Sequence, residues 1–217
     1  MTDSLIPPSR FKPLALALAA SAAAFAAVVR VVPYEYRVLN CVPLGAVALF
    51  AGARLGVGRA VLLALGVQVV TDLIVWVQHG TTELYTPWFL APIHGWTTTA
   101  LQAVAAGSTV YLCFVLYALL GRRLLTRTES PGVIGLTAVT GSLLFFGVTN
   151  FVSWLVQFDS YGYSLAGLLN CYAAGIPFFR GTFPADLVFT AGLFAAHAAL
   201  SRALFPAEKV IPVEVRS

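Results

Sequence analysis

The chain has 217 residues, 59% of them apolar and 10% charged, and a net charge of +4. With a mean hydropathy of +0.85, it has too little polar surface to coat a soluble domain of this size, and that class is excluded. The basic excess does not read as a nucleic-acid surface, because the lysines and arginines sit at the ends of apolar runs and form no stripe.

In chain order the apolar runs fall at 12–30, 42–57, 60–78, 97–120, 133–155 and 182–204. A helix needs about 20 apolar residues to cross a hydrocarbon core of ~30 Å. The pattern therefore predicts an all-α polytopic membrane protein with six transmembrane helices in a single domain, 1–217. The first run follows Arg10 and Lys12 as a signal peptide would, but it is longer than the apolar core of such a leader, so a retained span is expected. A further apolar stretch, 163–178, is short and ends near Pro177. It reads as a re-entrant or interfacial helix on the outer side.

Orientation follows the lysine and arginine bias of short loops. With the N-terminus inside, ten of the 13 basic residues are cytoplasmic: Arg10, Lys12, Arg54, Arg59, Arg122, Arg123, Arg127, Arg202, Lys209 and Arg216. Arg30, Arg37 and Arg180 are left outside. Both termini are then cytoplasmic and the protein is placed in the cell (inner) membrane. The remaining loops leave no room for a soluble ATP-binding domain, and there is no Walker-type glycine loop. Any energy source is an ion gradient or a partner.

The aromatic residues are one-sided. Trp76, Trp88, Trp96 and Trp154, with Tyr34, Tyr36, Tyr85, Tyr161, Tyr163 and Tyr172, map to the outer half or outer loops. An interfacial belt would appear at both boundaries, whereas a pocket opening outward onto an organic ligand explains one side. Polar residues within the spans point to the same half. Gln68, Asp72 and Trp76 continue one face of the third span. Asn150, Trp154 and Gln157 run along the fifth, beside Thr149 and Ser153. Thr182, Asp186, Thr190 and His197 share a face of the sixth. By helix rise, Asp72, Asn150 and Asp186 fall at a common depth of roughly 6–11 Å below the outer helix ends. Intramembrane carboxylates are costly and normally face a bundle interior or a wet cavity. Either ligand binding or helix cross-linking, with Arg180 as the partner, accounts for them. If both acids face a ligand, a cationic or amine-bearing solute follows, unless Arg180 neutralises one of them.

His197 reads as a packed histidine, and His79 and His94 lack the spacing and cysteines of a metal site. Cys113 is an apolar packer, while Cys41 and Cys171 both fall near the outer face, where a disulfide is permitted. No nucleophile–base–acid arrangement occurs, so no catalytic residue, metal or cofactor is expected.

The runs NCVPLGAVALFAGARLG (40–56), VVTDLIVW (69–76), LLFFGVTNFVSWL (143–155) and GLLNCYAAGIPFFRGTFPADLVFT (167–190) together resemble an uncharacterised bacterial membrane-protein family labelled putative transport proteins. One departure is Pro184-Ala185 before Asp186, where the family pattern has a glycine. More distantly, the chain is similar to the substrate-binding subunits of energy-coupling-factor vitamin importers, whose first helix docks through an A-x-x-x-A stripe on a transmembrane coupling protein that works with ATPases. That resemblance implies docking through Ala15, Ala19, Ala23 and Ala27. Small residues at this spacing serve equally for packing within the bundle. The sequence thus supports a transport or solute-capture protein with a pocket of Gln68, Asp72, Trp76, Asn150, Trp154, Gln157 and Asp186. The alternative is a non-transporting membrane scaffold.

Overall fold

Leucine and alanine alternate from Leu14 to Ala19 and alanine dominates onward to Ala27, with no glycine or proline after Pro13, and this stretch forms α1, Phe11–Val31. In the computed structural model, which describes residues 11–33, 36, 40–79, 86–95, 97–128 and 130–204, the other elements are also helices. They are α2 (Leu44–Leu55), α3 (Val57–Gln78), a single 3-10 turn (Ala91–His94), α4 (Thr98–Leu124), α5 (Pro131–Val156), α6 (Phe158–Tyr161) and α7 (Leu165–Leu204). Expectations placed on Arg10, Tyr34, Arg37, Tyr85, Trp96, Lys209 and Arg216 lie outside the described residues. Local chemistry sets the starts. The Thr97 hydroxyl accepts from the Ala100 amide at the head of α4, and Pro131 opens α5 where its missing N–H costs nothing.

Among the described residues, five helices (α1, α3, α4, α5 and α7) are long and apolar enough to cross a membrane. An α-helical membrane protein is what this arrangement indicates. The expected second span is different. Helix α2 has only 12 residues, about 18 Å by helix rise, well short of a bilayer core. Every residue from Leu44 to Ala53 is buried, with α1, α3, α4 and α7 packed around it. Protein, not lipid, surrounds it. At its end Gly56 adopts φ 94°, a conformation few side chains tolerate, so α3 begins at once.

The expected re-entrant helix is also different. Residues 163–178 do not form a separate element: α7 runs unbroken through 40 residues, with Pro177 and Pro184 inside it. Each proline deletes one backbone hydrogen bond, and packing of α7 against α5 and α2 holds the helix together.

The tightest seam lies between α2 and α4. A Cβ added at Gly52 would overlap the Ala118 carbonyl, and one at Gly121 would overlap the Leu49 carbonyl. The two backbones therefore touch, as small residues in membrane bundles allow. Near this seam Arg54 donates to the carbonyls of Leu125 (3.1 Å) and Thr126 (3.2 Å) and lies 4.8 Å from the Phe194 ring centroid. A cation thus meets the carbonyl end of α4. Arg54, Arg59, Arg122, Arg123, Arg127 and Arg202 gather at this end of the helices, called here the basic end. At the opposite end the Gln102 amide donates to the Val156 carbonyl, joining the start of α4 to the end of α5.

The alanine stripe is turned inward. Ala15, Ala19 and Ala23 are buried within the chain's own bundle, and Ala27 is partly covered. The docking face that the importer resemblance implied is thereby occupied by intramolecular packing.

Candidate functional site

Because α2 is short and starts deep, the bundle above its first turn is left with an open volume. This is a cavity of about 550 Å³, bounded by α1, α3, α4, α5 and α7 and floored by Leu44 and Gly45 of α2. At its base is Asp186, 1% exposed. Its Oδ2 accepts from the Tyr117 hydroxyl at 2.5 Å and from the Ser142 hydroxyl at 2.7 Å, so α4, α5 and α7 meet on one carboxyl. Two glycines make this possible. A Cβ at Gly45 would overlap the Asp186 carboxyl, and one at Gly141 would press into the Tyr117 ring. Gly45 lies in the first turn of α2, so the carboxyl sits where the partial positive charge of a helix N-terminus favours it.

The walls are phenylalanine. Phe114 and Phe145 lie edge-on or tilted against each other and Tyr117, and Phe146 packs on Phe179 with ring centroids 4.7 Å apart. Toward the mouth the lining becomes polar, with Thr149, Asn150, Ser153 and Gln157 along α5 facing Gln68 and Arg30. Asn150 can stand there because α7 carries Gly175 opposite it, where a Cβ would overlap the Asn150 amide.

A second polar cluster stands beside the cavity. Arg30 donates to Asp72 Oδ1 at 2.6 Å and to the Thr71 hydroxyl at 2.7 Å, while the Tyr111 hydroxyl donates to Asp72 Oδ2 at 2.8 Å. It clamps α1, α3 and α4 together. Trp88, from the segment before α4, stacks edge-on against Tyr111 at 5.3 Å and fills the space that Gly107 leaves.

A family model described as a family of unknown function (DUF6580) matches residues 10–209. The chain belongs to this family. No curated protein and no solved structure matches it.

For this DUF6580 member the sequence-derived site residues divide. Gln68, Asn150, Gln157 and Asp186 line the cavity, whereas Asp72, Trp76 and Trp154 do not. Asp72 is turned into the clamp, and its cation is Arg30, not Arg180, which stands exposed on α7. The Trp154 indole donates to the Gly162 carbonyl at 3.0 Å and holds the α5–α7 connection. The Trp76 indole nitrogen is buried on α3, away from the cavity. Of the tyrosines counted toward the pocket, Tyr161 lines it, while Tyr36 and Tyr163 are exposed.

The expected common depth also changes. The partners of Asp72 and Asp186 on α4, Tyr111 and Tyr117, are six residues apart, so the two acids are staggered by about 9 Å. Asn150 is eight residues beyond Ser142 on α5, about 12 Å above the Asp186 floor. Counting Asp186 from a helix start at 182 misplaced it, because α7 begins at Leu165.

Sequence reasoning missed Arg30 and the phenylalanine walls. Arg30 was counted only as an outer charge. The pairs Phe145-Phe146 and Phe178-Phe179 flank the polar runs and were the available signal. Cys41 and Cys171 are free thiols, and the Cys171 thiol lies 3.4 Å from the Asn150 carbonyl. Among the described residues no group of three or more histidine, cysteine or acidic side chains converges as a metal site would.

Proposed function

We propose that this protein binds a small organic solute in the cavity above α2 and serves in its capture or transport across the cell membrane. The observation that carries the reading is the cavity itself. At about 550 Å³ it falls within the ~300–1,000 Å³ usual for small-molecule sites, and it combines aromatic walls with a few convergent polar groups. On the same reading α2 counts as a sixth, protein-enclosed crossing. The basic end then faces the cytoplasm and the cavity mouth faces outward, in keeping with the ten-to-three basic bias. An energy-coupling-factor-type capture subunit is one form of this function. Its docking surface would have to lie elsewhere than on Ala15, Ala19 and Ala23, which are buried.

The scaffold reading retains one supporting observation: both membrane acids are hydrogen-bonded within the protein, Asp72 to Arg30 and Tyr111, Asp186 to Tyr117 and Ser142. Native mass spectrometry of gently purified protein separates the two. A stoichiometric small molecule that dissociates on activation supports solute binding. Protein that carries only lipid, and that no solute stabilises by mass action, supports the scaffold.

A further inference from the structure

We infer that the solute is an organic ammonium compound, a protonated amine on an apolar or aromatic body; the inference rests on the solute-binding reading above. Three features converge on this class.

The first is the distribution of charge. Arg30 is the cavity's cation, and it is already matched: its guanidinium is committed to Asp72 and Thr71 at 2.6 and 2.7 Å. The partners of Asp186 are two neutral hydroxyls, so its carboxyl has no cation from the protein among the described residues.

The second is the hydrogen-bond inventory. A hydroxyl has one proton to give. Thr149 gives its proton to the Phe145 carbonyl at 2.7 Å and Thr182 to the Phe178 carbonyl at 3.2 Å. Tyr117 donates to Asp186. The Asn150 amide nitrogen bonds the Phe146 carbonyl at 2.8 Å. Gln68 is only 5% exposed, and its carbonyl oxygen has no partner, although such a group is costly to leave unmatched. The three hydroxyls and the Gln68 carbonyl oxygen therefore offer a ligand lone pairs, while the Asn150 and Gln68 amides keep N–H groups beside them. A bound ammonium supplies the missing donors.

The third is the wall. Phe114, Phe145, Phe146 and Phe179 surround the space, and the faces of aromatic rings attract cations. An anionic solute has the opposite problem. The first turn of α2, where an anion would find a helix N-terminus, already faces the Asp186 carboxyl beside Gly45, and a second negative charge there would be repelled.

The test uses the full-length protein in lipid nanodiscs with three probes of like shape and different charge: phenethylamine, 2-phenylethanol and 3-phenylpropionate. Each is titrated to millimolar concentration while the melting temperature and saturable binding are followed. Saturable stabilisation by the amine alone is expected. Asp186→Asn should weaken that binding about tenfold or more, the scale of a charged hydrogen bond. If Asp186→Asn does not fold, Gln68→Glu serves instead, and it should tighten amine binding, whereas Gln68→Leu should weaken it. Equal or stronger binding of the alcohol or the carboxylate overturns the amine assignment and leaves the solute-binding reading standing. So does Gln68→Glu without effect on a bound amine. Failure of all three probes to bind overturns the amine assignment, and the solute-binding reading falls with it only if native mass spectrometry also finds no bound small molecule.

Discussion

Replacing Gly52 by alanine sets two physical effects against each other, and the structure decides between them. In an exposed helix interior the change is favourable by about 1 kcal/mol, because glycine has the greater conformational freedom to lose. At Gly52, however, the new methyl would sit on the carbonyl of Ala118 in α4. Overpacking typically costs ~1–3 kcal/mol, and the upper end applies where the obstacle is a neighbouring backbone and not a side chain able to rotate. The net expectation is a loss of about 2 kcal/mol, or a fall in melting temperature of roughly 4–8 °C for a chain of this length. Gly121→Ala, which meets the Leu49 carbonyl, should behave alike. Gly66→Ala and Gly192→Ala, where a Cβ meets nothing, should be neutral or mildly stabilising. Thermal unfolding of the four purified variants, followed by tryptophan fluorescence in one detergent, measures the contrast. If Gly52→Ala melts with Gly66→Ala, the close α2–α4 seam is refuted.

Asp72→Asn should lower stability by about 1–2 kcal/mol, since it strips Arg30 of its counter-charge in a half-buried site. The double variant Arg30→Met/Asp72→Asn should recover part of that loss, which a double-mutant thermal cycle would show. Ala19→Leu and Ala23→Leu should each cost ~2–3 kcal/mol through overpacking inside the bundle and cut the yield of monodisperse protein; wild-type stability would mean that the stripe faces outward. A reporter active only in the cytoplasm should work when fused after Arg127 and fail when inserted at Thr82, the reverse pattern contradicting the proposed orientation.

The long helices were legible because continuous hydropathy is a one-dimensional signal. The run at 12–30 becomes Phe11–Val31, and that at 133–155 becomes Pro131–Val156. Helix α2 was legible as a helix but not as an enclosed one. Its apolar residues would look the same facing lipid or protein, and only the glycines at 45 and 52 hint at close neighbours. Pro177 was read as a stop because local propensity opposes a helix there, and tertiary packing overrode it. Within the site, Asp186, Asn150, Gln157 and Gln68 stood out by the cost of polar groups in a span. The phenylalanine walls did not, since a cavity-lining ring and a core ring are identical in sequence. Asp72 was misassigned to the cavity because its partner, Arg30, is 42 residues away and nothing local records that pairing.

The two prolines of α7 are seven residues apart, two helical turns to within about 20°. They therefore lie on one side of the helix, where their bends add instead of cancelling. Both are exposed, and a proline-bent helix is convex on its proline side. A bend at either proline would therefore turn its hollow toward the bundle, where Gly175, Thr182 and Asp186 line the cavity. Such a bend would change the width of the cavity without a hinge loop, since each proline lacks the backbone bond that would resist it.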